Sequence, residues 1–388
     1  MRIAVDAMGG DHAPESIVEG AVLAARELES VEIVLVGIAD LVEAELAKFD
    51  DRERLAIRVV HAGEVVEMHD IPARVLRTKK NSSMKVGLDL VKKDEAEAFV
   101  SAGNTGAVLA YSTVILRPLK GVDRPAIAIQ LPTLKGTSIL LDAGANVDCK
   151  TNQLFQFGIM GHVFAKYILG EEEPSVGLLS IGEEDGKGNE VTKEVFQMLK
   201  KSHINFIGNI EGKEVFRGNA DVIVCDGFTG NVALKISESL AEMIGTNLKR
   251  LFQSSWVSKL GYLLLKPHLA EFKKSVDHSE TGGAPLLGVN GVCIIAHGSS
   301  SPKCIKNAIR RASELIEKKI NEHIRDDIVA NLEDQDLWVR KGVIWDQIKN
   351  IAFRADDEEK NNNNAAGESE KSAPGQPLKT SDDKPQDN

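Results

Sequence analysis

The sequence is poor in aromatics, carries no excess of basic residues, has no paired cysteine spacing and lacks a long apolar run. Each shortage removes a class of function. Aromatic residues make up only 5% of the chain, which gives little stacking capacity for single-stranded bases. Formal net charge is −11, the wrong sign for displacing counterions from a phosphate backbone, so nucleic acid is not an expected partner. Of that charge, Asp356 to Asn388 supplies −5, from nine acidic and four basic residues, and the remainder of the chain −6. Cys149, Cys225, Cys293 and Cys304 form no CxxC pair and read as reduced core thiols, with Cys149 alone close to a glycine loop. No stretch approaches the roughly 20 apolar residues of a spanning helix. The chain enters a strand at once, with no signal-peptide pattern, which predicts a cytoplasmic protein. Neither GxxxxGK[ST] nor GxGxxG occurs, so ATP and NAD have no fingerprint here.

What the sequence does have is glycine in particular places. Six short β-branched runs each end in a loop of small and polar residues followed by a helical pattern: DAMGGDHAP (6–14), SAGNTGA (101–107), DAGAN (142–146), SIGEEDGKGNE (180–190), CDGFTGN (225–231) and AHGSSSP (296–302). A strand that opens through glycine into a helix leaves unpaired N–H groups backed by the helix dipole, and these bind anions. Six such loops predict one shared crevice at the carboxyl ends of parallel strands.

Short, continuously apolar strands at 2–6, 31–36, 57–61, 97–101, 125–131, 137–142, 175–181, 204–208, 220–225 and 291–296 alternate with helical patterns along the chain. That alternation predicts an α/β fold: a doubly wound, mostly parallel sheet in three α/β/α layers. Pro132 to Gly136 predicts one antiparallel hairpin within it. Residues 1–325 form the main domain. Residues 326–355, with Leu, Ile and Trp at helical spacing, predict a helical extension, and 356–388 a disordered acidic tail.

Chemistry-bearing residues concentrate in the loops. In the first, Gly9 and Gly10 allow a sharp turn, Asp6 stands at a strand end and His12 is a candidate proton relay; the alternative is a capped turn with an exposed histidine. Gly103, Asn104, Thr105 and Gly106 suit an anion or a carbonyl oxygen brought close to the backbone, or else an N-cap with tight packing. The 142–150 segment offers Asn146 beside Asp142 and Asp148, which can hold a metal or cap turns; no metal is assigned. Lys187, between glycines and followed by Asn189, can swing onto a phosphate. Asn231 and Lys235 open the helix after the fifth loop.

A different signal lies at 248–274. Phe252, Trp256, Leu260, Leu263 and Leu264 recur every three or four residues, and six Lys or Arg stand against one acid, Glu271. This basic apolar stretch, with Lys249, Arg250, Lys259 and Lys266, predicts a protruding helical hairpin broken at Lys266-Pro267. It can contact an anionic membrane, receive an acidic protein, or pack in a core or dimer.

Taken in order, DAMGGDHAP, SAGNTGA, LLDAGAN, SIGEEDGKGNE, CDGFTGN and GGAPLLGVNG (282–291) resemble the PlsX family of acyl-acyl carrier protein:phosphate acyltransferases, over about residues 1–325. The resemblance implies an isocitrate dehydrogenase-like fold, a homodimer and peripheral membrane association. It also implies transfer of a fatty acyl group from acyl carrier protein to inorganic phosphate, without a cofactor, to make acyl phosphate for phospholipid synthesis. Phosphate is already an anion, so no serine or cysteine nucleophile is required, and direct attack on the thioester is expected. The site must hold phosphate beside a developing oxyanion. On that chemistry the candidate catalytic groups are Asp6, His12, Asn104 and Lys187. Gly9, Gly10, Gly103, Thr105, Gly106, Asn146, Asn189, Asn231 and Lys235 are the candidate phosphate contacts. The rival readings are a phosphate acetyltransferase acting on acyl-CoA, a lipid-binding module without catalysis, and a metal- and NAD(P)-dependent dehydrogenase of the isocitrate dehydrogenase type with Asp142, Asp148, Asp185 or Asp226 as ligands.

Overall fold

The computed structural model describes residues 1–276 and 282–333. Met1–Asn331 forms one compact unit. The expected tail and residues 334–355 of the expected extension lie outside the described residues; the extension's first part belongs to a helix, α11 (Ile320–Glu333).

Eleven strands make one sheet. In spatial order they are β3 (Ile57–His61), β2 (Glu32–Gly37), β1 (Arg2–Asp6), β4 (Ala98–Ser101), β11 (Val292–Ile295), β10 (Ala284–Leu287), β5 (Ala126–Thr133), β6 (Gly136–Leu141), β9 (Val222–Val224), β7 (Val176–Ser180) and β8 (Phe206–Glu211). Seven of the ten pairings are parallel, and the expected hairpin is the antiparallel pair β5–β6. Sequence periodicity does not reveal β10. Its four residues include Pro285 and lie among Gly282, Gly283 and Gly288, a composition that reads as a loop.

That strand changes the geometry of the whole sheet. β10 is antiparallel to both β11 and β5, and β5 is antiparallel to β6. Hence β1 to β5 and β11 run one way, and β6 to β10 run the other. The six glycine loops therefore do not share one edge. Those after β1, β4 and β11 leave in one direction, and those after β6, β7 and β9 in the opposite one. The registers nevertheless bring the two sets together. Leu141 stands opposite Ala128, Leu286 opposite Ile127, and Ile294 opposite Pro285. By this chain of pairings β6 ends level with Ile294, one residue short of the end of β11, or about 3.3 Å along the strand. The two half-sheets overlap only through β10 and the first half of β5, and both sets of carboxyl ends finish there.

Helices cover both faces of the first half-sheet. Ala4, Val34, Val36, Phe99, Cys293 and Ile295 pack under α4 (Ser83–Lys92) and α5 (Thr105–Ile115), whose Met84, Leu88, Val108 and Tyr111 complete the cluster. The alternate residues Ile3, Val5, Ile33 and Leu35 are equally buried and point to the other face, as period-two alternation requires. There α1 (Glu15–Glu27) packs on α2 (Ala39–Leu46) and α10 (Pro302–Glu317). Gly20 lets α1 and α10 approach: a Cβ there would lie 2.5 Å from Ile305 Cβ. A short helix absent from the sequence reading, α3 (Pro72–Thr78), packs on α5; its seven residues are too few to show a period. In the second half α6 (Thr151–Phe164) packs on β9 and on α7 (Glu190–Lys200).

The hairpin is longer than expected and breaks elsewhere. α8 (Gly227–Gln253) and α9 (Trp256–Val276) pack together, with the Phe252 and Tyr262 rings 5.4 Å apart. The break falls at Ser254-Ser255, not at Lys266-Pro267. Ser255 Oγ accepts the Ser258 N–H at 3.1 Å, capping the start of α9, while Pro267 is carried inside that helix. Trp256, Leu263 and Leu264 are 78%, 64% and 73% exposed.

Candidate active site

The loops after β1 and β4 are built on each other. Asp6 is buried and accepts the Ser101 hydroxyl at 2.7 Å and the Met8 N–H at 3.2 Å. Ser101 Oγ in turn accepts the Gly103 N–H at 3.1 Å. Burial holds the Asp6 carboxyl above its ordinary value, with these hydrogen bonds opposing. Any side chain at Gly9 would meet Asp6 Oδ2 at 2.5 Å and the Gly103 nitrogen at 2.8 Å. Gly10 has φ 109°, and the next N–H, of Asp11, donates to Gly298 O at 2.8 Å. The first loop thus props up the loops after β4 and β11.

Asn104 caps α5. Its Oδ1 accepts the Ala107 N–H at 3.0 Å, and its Nδ2 donates to the carbonyls of Met68 and Asp70 at 2.9 and 3.0 Å. With those contacts made, it positions α5 and the 68–70 turn. The first N–H groups of a helix have no intrahelical acceptor; Asn104 satisfies that of Ala107 and leaves those of Thr105 and Gly106.

On the other side the organiser is Asp142, fully buried after β6. Oδ1 accepts the N–H groups of Ile127, Gly144 and Ala145 at 3.0, 3.1 and 3.0 Å; Oδ2 accepts Asn146 N at 2.7 Å and Asn146 Nδ2 at 2.9 Å. Burial is the larger influence on its carboxyl and raises it, while these donors pull it down. Asn146 also donates to Pro125 O at 2.8 Å, and its own carbonyl accepts the Gly227 N–H at 2.7 Å. Asp226 Oδ1 caps α8 through the Thr229 N–H at 2.7 Å. The start of α8 is therefore seated directly on the 142–146 loop, and Gly230 is its closest point: a Cβ there would lie 2.0 Å from Asp142 O.

Between these two scaffolds lies a cavity of about 750 Å³. Thr105 and Gly106 of α5 border it, as do Ala143 and Gly144 after β6 and Ala296, His297, Ser299 and Ser300 after β11. Asn231, Leu234, Lys235 and Glu238, one face of α8 at helical spacing, close another side. Leu109, Ile127, Ile129, Ala284 and Ile295 make the floor apolar. Lys235 Nζ bonds Glu238 Oε2 at 2.8 Å, a half-exposed pair that little holds in place.

The loop after β11 contributes a histidine that the sequence reading passed over. Ser299 donates its N–H to His297 Nδ1 at 3.2 Å, and its Oγ lies 2.8 Å from the same nitrogen. A backbone N–H can only donate, so Nδ1 is the acceptor and the neutral ring carries its proton on Nε2. The signal available was the AHGSSSP motif itself, a histidine two residues before a serine in a glycine loop. Cys304 also borders the cavity.

Of the residues expected from sequence, Thr105, Gly106, Asn231 and Lys235 border the cavity. Asp6, Gly9, Gly10, Gly103, Asn104 and Asn146 lie behind it as scaffold. His12 is exposed and outside the lining. Asn189 caps α7 through the Thr192 N–H at 2.9 Å, and Lys187 is outside the lining too. The aspartates of the dehydrogenase reading are dispersed: Asp142 is saturated with N–H donors, Asp226 caps α8, and Asp185 pairs with Lys200 at 3.1 Å. Among the described residues no group of three or more His, Cys, Asp or Glu could hold a metal ion. Burial pushes the Cys149 and Cys293 thiols up to about 12 and Cys225 well above its ordinary value. Burial thus disfavours the thiolate at these three positions.

A sequence profile described as "Fatty acid synthesis protein" matches residues 1–323. The chain is 52% identical over 331 residues to a phosphate acyltransferase of Geotalea uraniireducens, covering 85% of this chain and 95% of the relative. It is 54% identical over 321 residues to a phosphate acyltransferase of Citrifermentans bemidjiense, covering 83% and 91%. Among solved structures it is similar to a phosphotransacetylase from Streptococcus pyogenes, with TM-score 0.56, 18% identity and coverage of 82% and 94%. A second is the EutD phosphotransacetylase from Staphylococcus aureus, with TM-score 0.52, 16% identity and coverage of 81% and 94%. At these identities the structural likeness concerns the fold.

Proposed function

Because the chain belongs to the phosphate acyltransferase family, the PlsX family of the sequence motifs, we propose that it moves a fatty acyl group from an acyl carrier protein thioester to inorganic phosphate in the cavity between the half-sheets. The observation that carries this reading is the pairing of two anion-binding elements across an apolar floor. Thr105 and Gly106, at the start of α5, border one side; Asn231 and Lys235 border the other. Phosphate and a tetrahedral oxyanion are both anions, and both need preorganised donors in a site shielded from water. The apolar residues accommodate the start of an acyl chain.

In the proposed reaction a phosphate oxygen attacks the thioester carbonyl carbon, the new C–O bond forms, and the C–S bond breaks. With phosphate written as its monohydrogen dianion, the products are acyl phosphate dianion and the free thiol, so the proton carried in by phosphate ends on sulfur. His297 replaces His12 as the histidine assigned to this step: its Nε2–H, a donor in the neutral ring, can hydrogen-bond the developing oxyanion while the phosphate proton passes to the departing sulfur. No acyl-enzyme is required, because phosphate is itself the nucleophile.

Mass-spectrometric detection of acyl phosphate from acyl carrier protein thioester and phosphate tests the activity. Absence of product, or product from acyl-CoA alone, would overturn the proposed donor. A radiolabelled acyl group trapped covalently on the protein would overturn direct attack. In the same assay His297→Gln is expected to lower kcat at least about 100-fold with little change in the KM for phosphate. A change confined to KM would make His297 a binding group instead.

The exposed apolar stripe of α9, with Lys249, Arg250, Lys259 and Lys266 near it, supports contact with an anionic membrane that receives the insoluble product for phospholipid synthesis. The protein is then a cytoplasmic, peripherally bound homodimer. Among the described residues no helix is long and apolar enough to cross a membrane. Replacing Leu263 and Leu264 with Asn is expected to release the protein from anionic vesicles in a sedimentation assay, since each buried leucine contributes roughly 1.5–3 kcal/mol. Unchanged sedimentation would assign the stripe to packing between subunits.

A further inference from the structure

We infer that the exposed face of α3 is the docking surface for the acidic carrier protein that brings the acyl thioester, an inference that rests on the donor proposed above. Ile71, Arg74 and Arg77 follow one another at three-residue spacing and are exposed, as is Lys80 just beyond the helix. Ile71 is 64% exposed and Met68, at the turn before the helix, 38%. Arg74, Arg77 and Lys80 make no salt bridge among the described residues. The neighbouring acid, Asp70, is bonded by Lys79 and feels Arg74 only through space. In a chain of net charge −11, three cations without a salt bridge around two exposed apolar side chains form a surface suited to an acidic partner.

The position of this surface matters as much as its charge. Pro72 touches the start of α5, the helix whose first residues border the cavity: a Cβ on Gly106 would lie 2.8 Å from Pro72 Cγ. Asn104, which caps α5, also bonds the Met68 and Asp70 carbonyls. At the other end the Tyr111 hydroxyl of α5 lies 2.9 and 2.8 Å from Val75 O and Lys79 O, which share its one proton. α3 is therefore fixed to α5 at both ends, next to the cavity at its first, and a partner seated on it need not order a loop. The basic residues Lys249 and Arg250 are placed differently. Lys249 is 14 residues beyond Lys235 on α8, about 21 Å along the helix axis from the part that borders the cavity. A carrier delivers its thioester on a tethered prosthetic group, so the surface at the rim is the better seat. The hairpin is left for lipid.

The test compares steady-state kinetics of the full chain with Arg74→Glu/Arg77→Glu and with Lys249→Glu/Arg250→Glu, using acyl carrier protein thioester and phosphate at two salt concentrations. The α3 variant is expected to raise the KM for carrier protein about tenfold or more at low salt, with a smaller change at high salt and kcat near wild type. The hairpin variant is expected to stay within about twofold. Arg74→Ala/Arg77→Ala, which adds no acid, should fall between wild type and the charge reversal. That graded series at unchanged thermal midpoint separates docking from misfolding. Wild-type turnover with an unchanged KM in the α3 variants would overturn the inference, as would a tenfold rise in the hairpin variant. Failure of the wild-type chain to form acyl phosphate from the carrier thioester would instead overturn the proposed donor.

Discussion

Asp142→Ala is expected to remove about 4 kcal/mol or more of folding stability, a large part of the 5–15 kcal/mol typical of a domain. The carboxylate accepts five N–H groups from Ile127, Gly144, Ala145 and Asn146 at 2.7–3.1 Å. A buried N–H left without an acceptor costs roughly 1–3 kcal/mol, and water entering the gap restores only part of that. The loss does not stay local, because Asn146 carries the first turn of α8 through the Gly227 N–H. Asp142→Asn should be milder, since one oxygen remains for three of the donors. The measurement is the urea midpoint of the three proteins at equal slope. A shift below about 1 kcal/mol for the alanine variant would mean that the 142–146 loop is held by something other than this carboxylate.

Gly230→Ala addresses the same junction from the helix side, and its effect is expected in turnover. The added methyl would stand 2.0 Å from Asp142 O and 3.0 Å from Cys225 Sγ. Neither can retreat. The carbonyl belongs to the loop ordered by five hydrogen bonds, and the thiol is buried in the sheet. α8 must shift instead, and Asn231 and Lys235, one and five residues farther on, shift with it. Displacing positioning groups by about 1 Å commonly costs on the order of 100-fold in rate, so kcat/KM should fall by about that factor. Gly245→Ala in the same helix is the control. Nothing lies within 4 Å of its Cβ position, so that variant gains helix propensity, up to about 1 kcal/mol, with activity intact. Equal activity in both variants would sink the assignment of α8 as a wall of the site.

Much of this molecule is legible locally. Runs such as Glu32-Ile33-Val34-Leu35-Val36 announce buried strands because they are apolar on both faces. The loops announce themselves because glycine, Asn and Ser end strands and start helices. Ten of the eleven strands and the order of motifs that places the chain in its family follow from such runs. What escapes has a local reason too. β10 looks like a loop, α3 is one turn too short, and the serine pair at 254–255 interrupts the hairpin more effectively than Pro267.

The roles of the polar residues were less legible. Asn104 and Thr105 are neighbours of similar chemistry, yet the first uses its amide to cap α5 and hold the 68–70 turn while the second borders the cavity. Asn146 and Asn231 divide in the same way. Which of a pair is scaffold and which is available depends on whether distant N–H and C=O groups have already claimed its lone pairs and protons.

The sequence by itself determined the elements, their glycine-rich ends and the family, because helix, strand and cap preferences act over a few residues. Only the tertiary structure decided how those ends meet. Two reversals of direction, at β10 and at the β5–β6 turn, set the loops after β6, β7 and β9 against those after β1, β4 and β11. The expected single crevice at one edge becomes a cavity between two opposed half-sheets. The β5–β6 reversal is local and legible, but the place of β10 beside β5 is fixed by pairings between residues more than a hundred positions apart, such as Leu286 with Ile127, and no local pattern contains it.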